Sequence, residues 1–235
     1  MAKLIRTFCF FLITWSTVAY ATTLKNEKLI TIHGFFGSPW NMYFLVKPLE
    51  KEQMSISHWG YASRDKKIQE HAEDLVRQLQ EEAVQNPGKP INFLTHSMGG
   101  LILRAGLNHP DCPLEAKVGR AVLLAPPNQG AVWGRMIAEF SLANYIGRDQ
   151  SGKELMTERD FEHLGQFPDT MEVMVIAGNF SLNVLIPGEN DGTVAVEETY
   201  LTTPHQHVII KQGHKSILLS KQASELAKDF LSVKK

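Results

Sequence analysis

Short apolar runs alternate with longer amphipathic segments along this chain, and that rhythm carries most of the fold prediction. Leu29-Ile30-Thr31-Ile32, Ser55 to Trp59, Ile91 to Leu94, Arg120 to Leu124, Met171 to Ala177 and His207 to Ile210 read as strands. Several are apolar without alternating, which is the pattern of strands covered on both faces. Lys67 to Gln85 places Ile68, Ala72, Leu75, Val76, Leu79 and Ala83 at helical spacing, with charged residues opposite. Asn86-Pro87-Gly88 stops that helix. Trp40 to Leu49 reads as a helix entered at Ser38 or Pro39 and closed near Pro48. Another begins after Ser97, and a last one spans about Ser216 to Leu231. Strand followed by helix, repeated, predicts an α/β domain: a mostly parallel central sheet of about six strands flanked by helices.

A length of 235 residues suits one such domain and lets it bury a large core. No internal repeat or low-complexity segment interrupts it. The formal net charge is −1 and no basic run stands out, so composition gives nucleic-acid binding no support. Residues 1–21 stand apart from the fold. Lys3 and Arg6 precede an apolar run from Phe8 to Val18, and Ala19-Tyr20-Ala21 is a small-x-small cleavage pattern. The run is short for a membrane span. A signal peptide cleaved after Ala21 is expected, which leaves residues 22–235 as the mature domain and places it in the periplasm or outside the cell. An uncleaved anchor and a buried N-terminal helix are the other readings. Cleavage would remove two bases and no acid, taking the formal charge from −1 to −3. It would also remove Cys9, leaving Cys112 in a loop as an inert thiol with no disulfide partner.

Candidate chemistry centres on Ile91 to Arg104. A buried strand passes through a tight turn directly into a helix, with Ser97 at the apex. A serine hydroxyl needs exposure, a base and oxyanion donors to act as a nucleophile. A sharp turn gives the first, and the free N–H groups of a helix start give the last. Thr95-His96-Ser97-Met98-Gly99 resembles the nucleophile elbow of the α/β-hydrolase superfamily, with threonine in place of the first glycine of G-x-S-x-G. The His33-Gly34 pair ending the first strand is a second resemblance. It implies that the backbone N–H groups of Phe35 and Met98 form the oxyanion hole, the His33 side chain being a structural group of the loop.

The superfamily's order of serine, acid, histidine then implies Asp191 and His214. Asp191 lies in the Asn190-Asp191-Gly192 turn, which resembles the acid loop of small bacterial lipases; Glu189, Glu197 and Glu198 are rival acids, and a simple turn-capping role is the alternative for Asp191. His214 sits between the final strand and final helix, after Gly213. His205 and His207 have metal-like spacing without further ligands and read as strand-edge residues. The resemblance is to compact lipases and esterases with a small or absent lid. It implies an α/β-hydrolase fold and an exported serine hydrolase that cleaves carboxylic esters without cofactor or metal. Expected partners are a small ester or lipid and a transient lipid-surface contact. Acyl transfer to an alcohol, and a silent fold that binds a lipid or partner, are the competing functions. Residues 131–167 are the expected cap region: Trp133, Met136, Ile137 and Phe140 would line an acyl pocket or pack on the sheet. Phe36, Trp40 and Phe180 read equally as lipid contacts or core.

Overall fold

A computed structural model describes residues 27–52, 54–132, 134 and 150–232. Six strands form one sheet: β1 (Lys28–Ile32), β2 (Ser55–Trp59), β3 (Ile91–His96), β4 (Arg120–Leu124), β5 (Glu172–Gly178) and β6 (Gln206–Ile210). Their spatial order is β2-β1-β3-β4-β5-β6 and every pairing is parallel. β3 and β4 are buried at every residue, which explains their apolar runs Phe93-Leu94 and Ala121 to Leu124; Asn92, Thr95, His96 and Arg120 are buried polar members. The edge strands β2 and β6 are only partly covered.

Side chains along each strand alternate between two cores, one on each face of the sheet. Ile30, Phe93, Leu123 and Val175 pack with α2 (Ile68–Gln85) and α3 (Met98–Leu107). Leu29, Leu94, Leu124 and Ile176 pack with α1 (Tyr43–Val46) and the C-terminal helix. Each such fully buried aliphatic or aromatic side chain contributes about 1.5–3 kcal/mol of transfer free energy. The helix α3 lies beneath α2 and is buried throughout its length.

Two predicted helices are broken. Residues 39–52 form a 3₁₀ turn (Pro39–Met42), the single turn α1 and a second 3₁₀ turn (Leu49–Glu52). Pro48 has no N–H to return to Phe44, so a continuous helix cannot form. The terminal segment splits into a 3₁₀ turn (Ser216–Leu219) and a helix at Lys221–Ser232. Ser220 between them is extended, and its Oγ accepts the N–H of Ala223 at 3.2 Å as a helix cap. Two short helices were not foreseen: α4 (Leu114–Lys117) and α5 (Gln150–Thr157). The terminal helix Lys221–Ser232 is then α6.

The expected cleaved segment 1–21 and the proposed pocket residues Trp133, Met136, Ile137 and Phe140 lie outside the described residues. Among the described residues no helix is long and apolar enough to cross a membrane.

The strand order sets where chemistry can sit. The chain goes from β1 outward to β2, then returns to the other side of β1 to form β3. Loops leaving β1 and β3 therefore diverge and open a crevice at their carboxyl ends. The loop at Phe35 and the turn at Ser97 occupy that crevice.

Candidate active site

Ser97 joins β3 to α3 with φ 51° and ψ −125°, a backbone state that costs about 1–3 kcal/mol in a non-glycine residue. The surrounding structure enforces it. The Ser97 N–H donates to Leu124 O at 2.8 Å, and its carbonyl accepts from Gly100 at 3.0 Å. Gly99 lies so close to β1 that a Cβ there would stand 2.5 Å from Ile32 O, inside van der Waals contact. Among the described residues Phe36 and Ala125 are the other non-glycines with positive φ. All three follow strand ends at this one edge of the sheet.

The turn aims the Ser97 hydroxyl at His214. The Oγ–Nε2 distance is 3.0 Å, and Nδ1 of the same ring is 2.7 Å from Asp191 Oδ2. A carboxylate only accepts, so Nδ1 carries the proton and Nε2 is left to accept from the serine. The other carboxylate oxygen accepts the backbone N–H groups of Thr193 and Val194 at 2.9 and 2.8 Å. The Asp191 side chain is 1% exposed. Asp191 therefore does both things the sequence allowed: it caps its own turn and holds the histidine.

The rival acids are elsewhere. Glu189 accepts from Asn179, and Glu197 is exposed. Buried Glu198 accepts from the backbone of Ala195 and Val132, tying the acid loop to the segment after β4.

The Phe35 and Met98 N–H groups have no hydrogen-bond partner among the described residues. Both belong to segments packed against Ser97; a Cβ at Gly34 would lie 2.9 Å from Ser97 Cβ. Two free amides beside an aligned serine can receive a developing oxyanion.

Groups that the sequence reading overlooked hold this loop. Tyr61 Oη donates to His33 O at 2.7 Å, and its ring stacks on His33 at 4.2 Å and on Trp59 at 4.7 Å. Ser63 Oγ accepts from Phe36 N at 3.1 Å. The Ser63 carbonyl in turn accepts from Ser151 on α5. His33 Nδ1 donates to Gly34 O at 2.9 Å, as expected of a loop histidine. Tyr61 and Ser63 are far from Phe36 in sequence, so no local signal announced them.

His96 braces the other side. Its Nε2–H donates to the carbonyl of His214 at 2.9 Å, while the His214 N–H donates to Asp191 O, also at 2.9 Å. His214 is thus held by its backbone on both sides. Elsewhere, burial raises the Cys112 thiol to about 11, in keeping with an inert cysteine. His207 stacks on Tyr200 at 3.9 Å, and no group of His, Cys, Asp or Glu among the described residues is arranged to hold a metal.

A cleft of about 260 Å³ runs from Gly34, Phe35 and His96 toward Trp40 and Leu218. Phe36, Trp40 and Phe180 are 58%, 79% and 54% exposed, which sets aside the core reading for all three. A larger groove of about 540 Å³ lies at the opposite end of β5 and β6 and contains none of these groups.

No protein-family profile matches this sequence, and no curated protein sequence is similar to it. Solved structures are similar in fold. The mature Bacillus licheniformis lipase BlEst2 aligns with a TM-score of 0.74 at 19% identity, over 88% of this chain and 93% of the lipase. Phospholipase PlaB from Legionella pneumophila aligns with a TM-score of 0.70 at 15% identity, over 89% of this chain and 60% of that one. The metagenomic carboxyl esterase MGS0156 aligns with a TM-score of 0.61 at 14% identity, over 90% and 76%. The chain has the α/β-hydrolase fold, as its motifs implied, with a sheet that is wholly parallel.

Burial lowers the pKa of His33, His71 and His96 from 6.5, and that of His96 to about 3. These rings stay neutral in the folded state but take up protons on unfolding below about pH 6.5. Their contribution is complete above that pH and is lost as pH falls, for His96 down to about 3. The melting temperature, followed by circular dichroism, should therefore fall steadily from pH 7 to pH 4. A melting temperature constant across that window would contradict the neutral, buried assignment.

Proposed function

We propose that this chain is a serine hydrolase that cleaves carboxylic esters through an acyl-enzyme on Ser97. The observation that carries the reading is the continuous hydrogen-bonded line Asp191–His214–Ser97, ending beside two amides that have no partner among the described residues. Likeness to lipases, an esterase and a phospholipase supports ester chemistry in general.

His214 Nε2 takes the proton as Ser97 Oγ attacks the carbonyl carbon, and Asp191 stabilises the imidazolium that forms. Negative charge on the carbonyl oxygen is met by the N–H groups of Phe35 and Met98. Each such donor lowers the barrier by ~3–4 kcal/mol. The C–O bond breaks, and the leaving alkoxide takes the proton from His214. Water, deprotonated by the same ring, then attacks the acyl-enzyme and releases the acid. Neutral His96 keeps a second positive charge away from the imidazolium. Residues 1–21 direct export in this reading, and intact mass of the secreted or periplasmic protein tests it: a mass that begins at Thr22 is expected, and retention of Met1 would rule cleavage out.

Fluorophosphonate labelling of the purified protein tests the nucleophile. Wild type should label, and Ser97→Ala and His214→Ala should not. Hydrolysis of nitrophenyl butyrate should fall on the order of 10⁶-fold in Ser97→Ala. A Ser97→Ala protein with a tenth of wild-type turnover would remove Ser97 from this role.

The loop brace makes a separate prediction. Ser63→Ala frees the Phe36 amide and slackens the neighbouring oxyanion donor. It should lower kcat about tenfold with little change in KM, because the loss falls on the transition state. Ser63→Thr should restore most of it. An unchanged kcat would show that the loop holds its shape without Ser63.

A further inference from the structure

The cleft beside Ser97 does not end where its apolar lining ends. Phe44 and Leu219 form part of its wall, and both also line a second groove, of about 460 Å³, between α1 and α6. Lys47, Lys51, Lys221 and Lys228 line that groove. Glu225 is the one acid in its lining among the described residues. Lys228 Nζ lies 2.5 Å from Glu225 and 3.5 Å from Asp229, so these two carboxylates share one ammonium. Lys47, Lys51 and Lys221 have no carboxylate within ion-pair distance among the described residues. Four cations against two anions leave an excess of about two positive charges in one groove, on a chain whose formal charge is −1.

The surface leading there is apolar and open. Leu219 and Phe44 are 68% and 58% exposed, and Trp40 stands nearby, exposed as well. Contiguous apolar surface of this kind, rimmed by charge, marks a place where something binds. An apolar wall shared by a reactive cleft and a basic groove matches a molecule with an ester, a greasy body and an anion. Flexible ammonium groups suit phosphate as point charges.

We propose that Lys47, Lys51, Lys221 and Lys228 form a subsite for an anionic, phosphate-class group on an amphiphilic ester. The carbonyl of that ester sits at Ser97 and its apolar body crosses Phe44 and Leu219. The placement of the carbonyl rests on the hydrolase reading above; the anion subsite stands on the groove itself.

Calorimetric titration with monomeric decyl phosphate, and with decyl maltoside as a neutral amphiphile, tests it without any turnover. At low salt decyl phosphate should bind at least tenfold more tightly, and the preference should shrink as ionic strength rises. The quadruple variant Lys47→Gln, Lys51→Gln, Lys221→Gln, Lys228→Gln should lose the preference; its melting temperature checks the fold. The double variant Lys51→Gln, Lys221→Gln should lose part of it, which covers a poorly folding quadruple variant. A second arm uses phosphatidylcholine vesicles with and without phosphatidic acid. Lysine-dependent capture by the acidic vesicles alone assigns the anion to a bilayer, and binding of monomeric decyl phosphate assigns it to a free molecule; either supports the subsite. Equal affinity for both amphiphiles with no vesicle preference overturns it, as does a preference that survives the four substitutions. A protein that ignores fluorophosphonate yet binds decyl phosphate through these lysines would sink the hydrolase reading and leave the subsite standing.

Discussion

Everything at the candidate site depends on one strained turn. Ser97 is held at positive φ between a strand buried on both faces and a helix buried all round. Neither element can shift to relieve the strain, because each is packed into a core and Gly99 lies against the carbonyls of Ile32 and His33. A serine in an ordinary strand–helix connection would be able to relax. Here the strain lifts the hydroxyl out of the sheet edge, and the same geometry leaves the Met98 N–H unpaired at the start of α3.

Three loops from separate strands converge on that hydroxyl because the sheet is parallel throughout. Each strand ends at the same edge, so the loops after β1, β3, β5 and β6 share one face. Convergence alone would not give distances near 3 Å. Local bonds fix each loop: Tyr61 and Ser63 brace the Phe35 segment, Thr193 and Val194 hold the Asp191 carboxylate, and His96 and Asp191 hold the backbone of His214. The site is preorganised largely by hydrogen bonds from outside the Asp191–His214–Ser97 line, with Asp191 bracing the His214 backbone as well as its ring.

Charge is distributed with the same economy. Around Ser97, burial lowers the pKa of His33 and His96, while Lys215 stands at the cleft as a cation beside the Asp191–His214 pair. Cations gather at the outer groove, beyond the apolar wall of Phe44 and Leu219. A cleft walled by buried histidines thus opens onto a lysine-lined rim.

The sequence by itself determined the element order and the strands nearly to the residue, and it named Ser97, Asp191, His214, Phe35 and Met98 as candidates. Those were legible because burial on both faces writes continuous apolar runs, and because a tight turn or a free amide needs particular local residues. Tertiary structure decided the rest. It separated Asp191 from Glu189, Glu197 and Glu198, since only folding shows which carboxylate reaches a ring 23 positions away. It exposed Phe36, Trp40 and Phe180, which periodicity could not tell from core. Ser220 broke the last helix through a capping hydroxyl, a weak signal beside hydrophobic spacing, whereas Pro48 was legible in advance as a helix stop. The brace of Tyr61 and Ser63 and the gathering of Lys47 and Lys51 with Lys221 and Lys228 join positions remote along the chain. No local pattern encodes such meetings: the lysines meet because α1 and α6 pack on the same face of the sheet, and Tyr61 and Ser63 meet the β1 loop because β2 pairs beside β1.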